Sequence, residues 1–463
     1  MIDFLRGLLY VVSIFYISYL TVFVIFSFFS VAIGAYRLYV KDRMLRLNNK
    51  LNHGDLPVSV IVPAYNESVT IVDSINSLLT LDYQLYEIVI IDDGSEDDTT
   101  QKLIDEFDLK FIHRPINREL ECQPEEAVYE AVINGISVTL IRKKNGGKGD
   151  ALNMGINACR YPYFICTDAD SKLQKNSLTE IVEPVFEDDT VIAVGGMIFI
   201  SQCVTMENGN AAGYRLPPNL LVCMQAVEYS RSFLASRLLM DSFNGNLIIS
   251  GAFGLFKKST VVAVGGYSPD NLGEDMELVL KLHVYCRNNY IKYRIGYQPN
   301  AICMTQAPTR FRDLKTQRRR WHIGLLQSMF THRRVMFNLK FGLVSFFSYF
   351  YYLAYELMAP IVELFGIATI ILALFLDVLN MEYMIVFLVV YAIYGIIISL
   401  SAFSQHLYTQ RFRLSPLDML RVLFLCILEF GVFRYVLAIV RLMAFFRYGK
   451  NKSTWGKIKR VRS

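Results

Sequence analysis

The sequence predicts a Rossmann-like α/β domain joined to membrane-spanning α-helices. Three observations carry this: β-branched runs that each end in a polar turn, a charge-free stretch from 7 to 36, and a return of apolar segments beyond Lys340. Composition agrees. Of 463 residues 53% are hydrophobic and 19% charged, with a mean hydropathy of +0.32. A soluble domain carries about a quarter charged residues, so a wholly soluble chain and a disordered one are both excluded. The 42 acidic residues exclude a wholly embedded one. A net charge of +5 is too mild to indicate nucleic-acid binding.

The N-terminal segment 1–36 reads as a transmembrane anchor. Its 30 uncharged residues exceed the ~20 that a span needs, and a cleaved signal peptide has a shorter apolar core. A retained, tilted helix is expected. Segment 37–56 follows as a basic cytosolic linker, with Arg37, Lys41, Arg43, Arg46 and Lys50 against Asp42 and Asp55. The positive-inside bias puts this side in the cytoplasm and the N-terminus outside. The expected place is the plasma membrane, multi-pass, with a cytoplasmic catalytic domain.

Segment 57–309 reads as the soluble domain. The runs 58–63, 87–91 and 163–167 are expected strands, with a helix over 69–79 between the first two. Continuous apolar strands alternating with helices indicate a parallel sheet covered on both faces. Ligands then bind beyond the carboxyl ends of the strands. There the three runs meet Tyr65-Asn66-Glu67, Asp92-Asp93-Gly94-Ser95 and Asp168-Ala169-Asp170.

Segment 310–340 is an expected interfacial amphipathic region, and 341–446 holds transmembrane helices with candidates near 343–376, 383–405 and 417–446. The last contains Glu429, Arg434 and Arg441 and reads as a span plus an amphipathic helix. The tail 447–463 has seven basic residues and no acidic one, so it is expected in the cytoplasm. That needs an even number of crossings after the soluble domain, whereas hydropathy reads more easily as three.

The eight cysteines show no Cys-x-x-Cys spacing and the six histidines are scattered, so neither a zinc site nor a disulfide framework is indicated. Carboxylates carry the metal expectation instead. Asp168 and Asp170 project from a turn at a strand end, and oxygen-only ligation suits Mg²⁺ or Mn²⁺ bridging a diphosphate. A lone Asp-x-Asp is weak; the second acidic turn at Asp92-Asp93 strengthens it. The run 145–153, Asn-Gly-Gly-Lys-Gly-Asp-Ala-Leu-Asn, lacks P-loop spacing, but exposed amides with Lys148 suit a phosphate. No Gly-x-Gly-x-x-Gly fingerprint is present, which counts against dinucleotide chemistry. Gly273-Glu274-Asp275 opens a helix, where acids also serve as caps; the functional alternative makes Asp275 a general base. Gln317-Arg318-Arg319-Arg320-Trp321 lies on a basic segment that suits anionic headgroups, which leaves Trp321 unexplained.

Taken in order, these elements closely resemble the processive glycosyltransferases of family 2, which include cellulose, chitin, hyaluronan and poly-N-acetylglucosamine synthases. The resemblance covers about 56–334, and Gln317, Arg320 and Trp321 match its most specific motif. It implies a GT-A-like catalytic domain and an inverting, processive transferase that moves sugar from UDP-glucose or UDP-N-acetylglucosamine to a growing β-linked glycan and exports it. By position, Tyr65 and Glu67 would hold the uridine, Asp93 would lie near the uracil, and Lys148 would meet the nucleotide. Asp168 and Asp170 would place the metal, Asp275 would be the base, Gln317 and Arg320 would grip the diphosphate, and Trp321 would stack under the acceptor sugar. Gly273 stands where the family usually has Thr. Ile249-Ser250-Gly251-Ala252 departs from the acceptor loop of cellulose synthases, which puts cellulose-like acceptor positioning in doubt. Expected partners are the UDP-sugar, the glycan and membrane lipid, with an accessory or export subunit open and nucleic acid excluded. Glu356, Glu363, Glu429 and Arg434 are candidates to line a glycan path, with interfacial placement or ion pairing as the alternative. Two other readings stay open: addition of one sugar to a lipid or oligosaccharide, and a nucleotide-binding transporter or pore subunit.

Overall fold

A computed structural model describes residues 2–47 and 56–446. The basic tail 447–463 and part of the basic stretch, 48–55, lie outside the described residues. The strands are β1 Val58–Ala64, β2 Tyr86–Asp92, β3 Lys110–Ile112, β4 Glu125–Ile133, β5 Ile136–Lys143, β6 Tyr163–Thr167, β7 Lys172–Leu173, β8 Val191–Ile200, β9 Val204–Glu207, β10 Asn210–Tyr214, β11 Phe253–Lys257 and β12 Arg294–Thr305. Ten of them form one sheet in the order β3-β4-β5-β2-β1-β6-β11-β8-β12-β7, with β9 and β10 a separate hairpin.

The three expected strands are β1, β2 and β6, and they lie side by side and parallel. The sheet as a whole is mixed, because β11 runs antiparallel between β6 and β8, and β4 and β5 form a hairpin. The hairpin closes through Asn134-Gly135, both at positive φ (52° and 84°), the dipeptide suited to a two-residue turn. Alternation along the strands covers both faces. Val58, Val60 and Val62 pack into one buried cluster, and Ile61, Val89 and Ile91 into the other. This burial on both sides explains why the runs read as continuously apolar.

The N-terminal helix runs Ile2–Leu47, 46 residues and about 69 Å at 1.5 Å per residue. That exceeds a ~30 Å hydrocarbon layer, and the basic stretch continues the helix rather than leaving it. There Arg37 pairs with Asp241, Lys41 reaches Gln298 and Glu183, and Asp42 pairs with Arg411 at 2.9 Å. The helix is thus docked on the sheet domain by its own basic residues.

Three described helices are long and apolar enough to cross a membrane: Gly7–Arg43, Met381–Thr409 and Pro416–Phe445. A fourth candidate is the pair Val344–Leu357 and Ala359–Phe375, bent by 51°. Contacts separate them. The connection after Thr409 rests on the sheet domain, with Phe412 against Phe199 and Tyr214 at 6.0 and 5.9 Å. At the start of the next helix Arg421 donates to the carbonyls of Leu216 and Pro217 at 3.1 and 2.9 Å. At its other end Phe445 meets His322 at 4.8 Å, and Ala444 packs with Leu272 and Ile323. Both ends of the 416–445 helix therefore touch one domain. That geometry suits a helix lying along a membrane face, whatever its hydropathy.

If so, two crossings follow the sheet domain, and the loop at 376–380 lies across the membrane from the loop at 410–415. Val378→Cys is expected to label with a membrane-impermeant thiol reagent on intact cells, and Arg413→Cys only after permeabilisation. Labelling of both from the same side would refute this arrangement.

Candidate active site

The strand register levels three polar turns. Ala64 pairs with Asp92 across β1–β2, and Ile61 with Cys166 across β1–β6. The chain leaves β1 for β2 on one side and reaches β6 on the other, so the turns border a topological switch point. Asn66, at φ 56°, ties two of them. Its Oδ1 accepts from the amides of Glu96 and Asp97 (2.8 and 3.3 Å), and its own amide donates to Ser95 Oγ at 3.0 Å. Beside it the Glu67 amide donates to Thr99 Oγ1, while Glu67 Oε2 accepts from Thr70 Oγ1. The Tyr65 ring stays exposed.

Asp93 is engaged by protein. Its oxygens accept from the amides of Gly146 and Gly147 at 3.0 and 2.8 Å and from Lys143 Nζ. Lys143 is fully buried and also meets Asp150 at 2.5 Å. Burial pushes the Asp93 carboxyl upward, against the pull of Lys143 and the loop amides. The buried trio pins the glycine-rich loop, which opens the helix Lys148–Ala158.

Lys148 therefore enters the crevice from a fixed base. Its Nζ donates to Asp168 Oδ1 at 2.6 Å and lies 3.7 Å from Glu274. Burial disfavours its charge, but Asp168 and Glu274 outweigh that and raise its affinity for the proton. Glu274 is buried, and its carboxyl is pushed up to about 7 by burial, opposed by Lys148, with Asp275 adding to the rise. Asp275 is less buried than its neighbours Glu274 and Met276. Its Oδ2 accepts from the Gly251 amide at 3.2 Å, so the departing loop at 249–252 sits at the base itself.

A divalent cation fits the donor set. Asp168 and Asp170 supply oxygens only, as Mg²⁺ and Mn²⁺ prefer. Among the described residues no three His, Cys, Asp or Glu side chains form a metal cluster. The remaining ligands would come from a diphosphate and water, which is the habit of these ions at phosphate sites.

The helix Phe311–Thr331 carries Gln317, Arg320 and Trp321. It reaches the base through a backbone contact. A Cβ on Gly273 would lie 2.8 Å from the Gly324 carbonyl carbon, and one on Gly324 would lie 2.6 Å from Gly273 Cα. Gln327 Oε1 accepts from the Leu272 amide at 2.9 Å, and Ser328 Oγ donates to Gly273 O at 3.3 Å. The absent Thr at 273 thus has a steric reason. Gln317, Trp321, Gly324 and Ser328 follow an i, i+4, i+7, i+11 stripe on one helix face. Gln317 Oε1 is buried without a hydrogen-bond partner, and a ligand would supply one. Arg320 lies close enough to Lys148 and Glu274 to act on both charges.

Trp321 is half-buried, and the Arg318 guanidinium covers its ring at 4.4 Å. Arg318 is itself buried and donates to Glu228 Oε2 at 2.7 Å. Sequence reasoning passed over Arg318, Glu228, Lys143 and Glu274. For Arg318 a signal existed, since it lies three residues before Trp321 and so beside it on the helix. For Glu228 and Lys143 none did, because their partners are 90 and 50 residues away.

Residues 59–121 match the family described as Glycosyl transferase family 2, and residues 163–447 match Glycosyl transferase family group 2. The second match alone spans more than half of the chain. The chain belongs to glycosyltransferase family 2. Among family relatives, the poly-beta-1,6-N-acetyl-D-glucosamine synthase of Staphylococcus aureus is 30% identical over 318 residues, 66% of this chain and 66% of the relative. That of Staphylococcus epidermidis is 30% identical over 271 residues, 58% and 54% of the two chains. The chain thus spans two thirds or less of the length of the curated relatives it matches. A mannosyltransferase of Pyrobaculum calidifontis, solved with GDP-Man and Mn²⁺, is 16% identical with a TM-score of 0.49, covering 91% of this chain and 98% of its own. The mixed sheet with its helices is the GT-A-like catalytic domain of this family 2 transferase.

The Gly273–Gly324 contact makes a sharp prediction. Gly324→Ala and Gly273→Thr each drive a Cβ into backbone, so each is expected to cost ~1–3 kcal/mol of stability. Transfer should fall more than UDP binding, because the motif helix shifts against the base. Thermal unfolding, UDP titration and turnover of the two variants check this; unchanged turnover would show that the contact has no role in alignment.

Proposed function

We propose that this chain is an inverting, processive transferase that takes UDP-N-acetylglucosamine and extends a β-linked glycan at the cytoplasmic face of a membrane. The observation that carries the reading is convergence on Asp275. Lys148 and Asp168 approach it from the nucleotide side, the 249–252 loop hydrogen-bonds it, and the Trp321 helix is locked to its helix by two glycines. The choice of sugar rests on the relatives, which are named for N-acetylglucosamine; UDP-glucose is the alternative donor.

Charge dictates the chemistry. As the sugar C1–O bond to the diphosphate breaks, negative charge grows on UDP, and Lys148 and Arg320 offset it. When bound at Asp168 and Asp170, Mg²⁺ or Mn²⁺ supplies further positive charge to the same oxygens. The leaving group then needs no acid. The acceptor hydroxyl forms the new bond to C1 and gives its proton to Asp275. Attack from the face opposite UDP converts an α-linked donor to a β-linked product. Tyr65 and Glu67 border the place for the uridine, with Asp93 holding the loop beneath it.

Three expected outcomes test this. Asp170→Asn should lose the enhancement of UDP binding by Mn²⁺ while still binding UDP weakly in chelator, read by titration of UDP with and without the metal. Equal enhancement in the variant would remove Asp170 from the metal site. Asp275→Asn should bind UDP near-normally yet lose transfer by at least the ~10² of a general base; a parallel collapse of UDP affinity would move Asp275 to the donor site. Trp321→Ala should retain UDP binding but shorten the product, since an indole can stack on each new sugar terminus in turn. Chromatographic sizing of radiolabelled product from UDP-N-acetylglucosamine reads this, and a wild-type product of one added sugar would favour the single-addition alternative.

A further inference from the structure

A cavity of ≈ 110 Å³ lies between the N-terminal helix, the 220–241 helical stretch, the bent segment 344–375 and the 416–446 helix. The chemistry above does not use it. Its charges are paired across elements. Arg231 meets Glu429 at 2.8 Å, and Arg434 donates to Glu363 at 2.7 Å. Arg441 stands between Glu228 at 3.6 Å and Glu356 at 3.9 Å. The other oxygen of Glu228 takes Arg318 from outside the cavity. Among the described residues, then, the four lining carboxylates face four guanidiniums, and no excess field of either sign remains to select an ion. What remains is a surface of hydrogen-bond donors and acceptors beside the rings of Phe23, Tyr351 and Tyr355. That suits an uncharged ligand rich in hydroxyls, which can exchange hydrogen bonds with both groups and rest its apolar face on a ring.

Arg441 differs from the other cations here. Both of its ion-pair distances exceed hydrogen-bond length, whereas Arg231, Arg318 and Arg434 hold theirs at 2.5–2.8 Å. It is a bar held by two weak pairs, and each exposed pair of this kind contributes little. Glu228 connects that bar to Arg318, which lies over Trp321. The acceptor platform and the cavity mouth therefore share one carboxylate.

We propose that this cavity is a binding site for uncharged glycan, and that Arg441 is a displaceable bar at its mouth, pushed aside as a chain advances from Trp321. The proposal rests on the polymer-forming reading above. Sugar hydroxyls replace Glu228 and Glu356 as partners of the guanidinium, so the bar opens without leaving a charge unpaired. A free carboxylate or phosphate ligand is excluded by the same balance.

The test uses the full chain reconstituted in nanodiscs with radiolabelled UDP-N-acetylglucosamine. A photo-crosslinking amino acid at Tyr355 is expected to capture labelled product, with capture rising as the product lengthens. Arg441→Gln removes two weak pairs and should increase mean product length per UDP released by about fivefold, while Arg441→Lys, which keeps the charge, stays near wild type. Long wild-type product with no capture at position 355 overturns the glycan site. Capture with unchanged or shorter product in Arg441→Gln overturns the bar. A wild-type product of one added sugar overturns the polymer reading, and this one with it.

Discussion

Two glycines in van der Waals contact couple the two halves of this protein. Gly273 precedes the helix that carries Asp275, and Gly324 lies one turn beyond Trp321. With no Cβ on either side, the backbones meet where any other pair of residues would hold them apart. The helix that bears Gln317, Arg320 and Trp321 is thereby registered against the base rather than against the membrane alone. Flanking hydrogen bonds from Gln327 and Ser328 then fix its rotation.

On the nucleotide side the organising force is electrostatic. A fully buried lysine, Lys143, is tolerable only because Asp93 and Asp150 surround it, for an unpaired ammonium at that depth would give up its proton instead. The loop it anchors delivers Lys148 to Asp168 and Glu274. In the donor-free protein these carboxylates occupy the cation that a diphosphate will claim, so donor binding exchanges one set of ionic partners for another and leaves no bare charge in the crevice.

The membrane-facing half shows the same economy. Its guanidiniums and carboxylates are matched across helices that are far apart in sequence, as in Arg231 with Glu429 and Arg434 with Glu363. Charged side chains among apolar helices are costly unless paired, and here pairing produces a polar yet neutral lining. The four residues that the hydropathy pattern marked as out of place, Glu356, Glu363, Glu429 and Arg434, all border this one cavity.

The amino-acid sequence by itself determined the local features: the β-branched runs of β1, β2 and β6, the acidic turns after them, the charge-free anchor, and the glycines and acids of the motifs. These are legible because strand burial, turn chemistry and membrane length each act on contiguous residues. Only tertiary structure decided the rest. The antiparallel insertion of β11 depends on which edge the chain returns to, which no local pattern specifies. The apolar 416–445 segment reads as a span, and it took contacts at both ends to lay it along the sheet domain. Lys143, Glu228 and Arg318 matter through partners tens of residues away, and Gly273 and Gly324, 51 positions apart in the chain, look like ordinary small residues until the helices meet. Long-range pairing energies set these outcomes, and a linear reading holds the residues but not their separations in space.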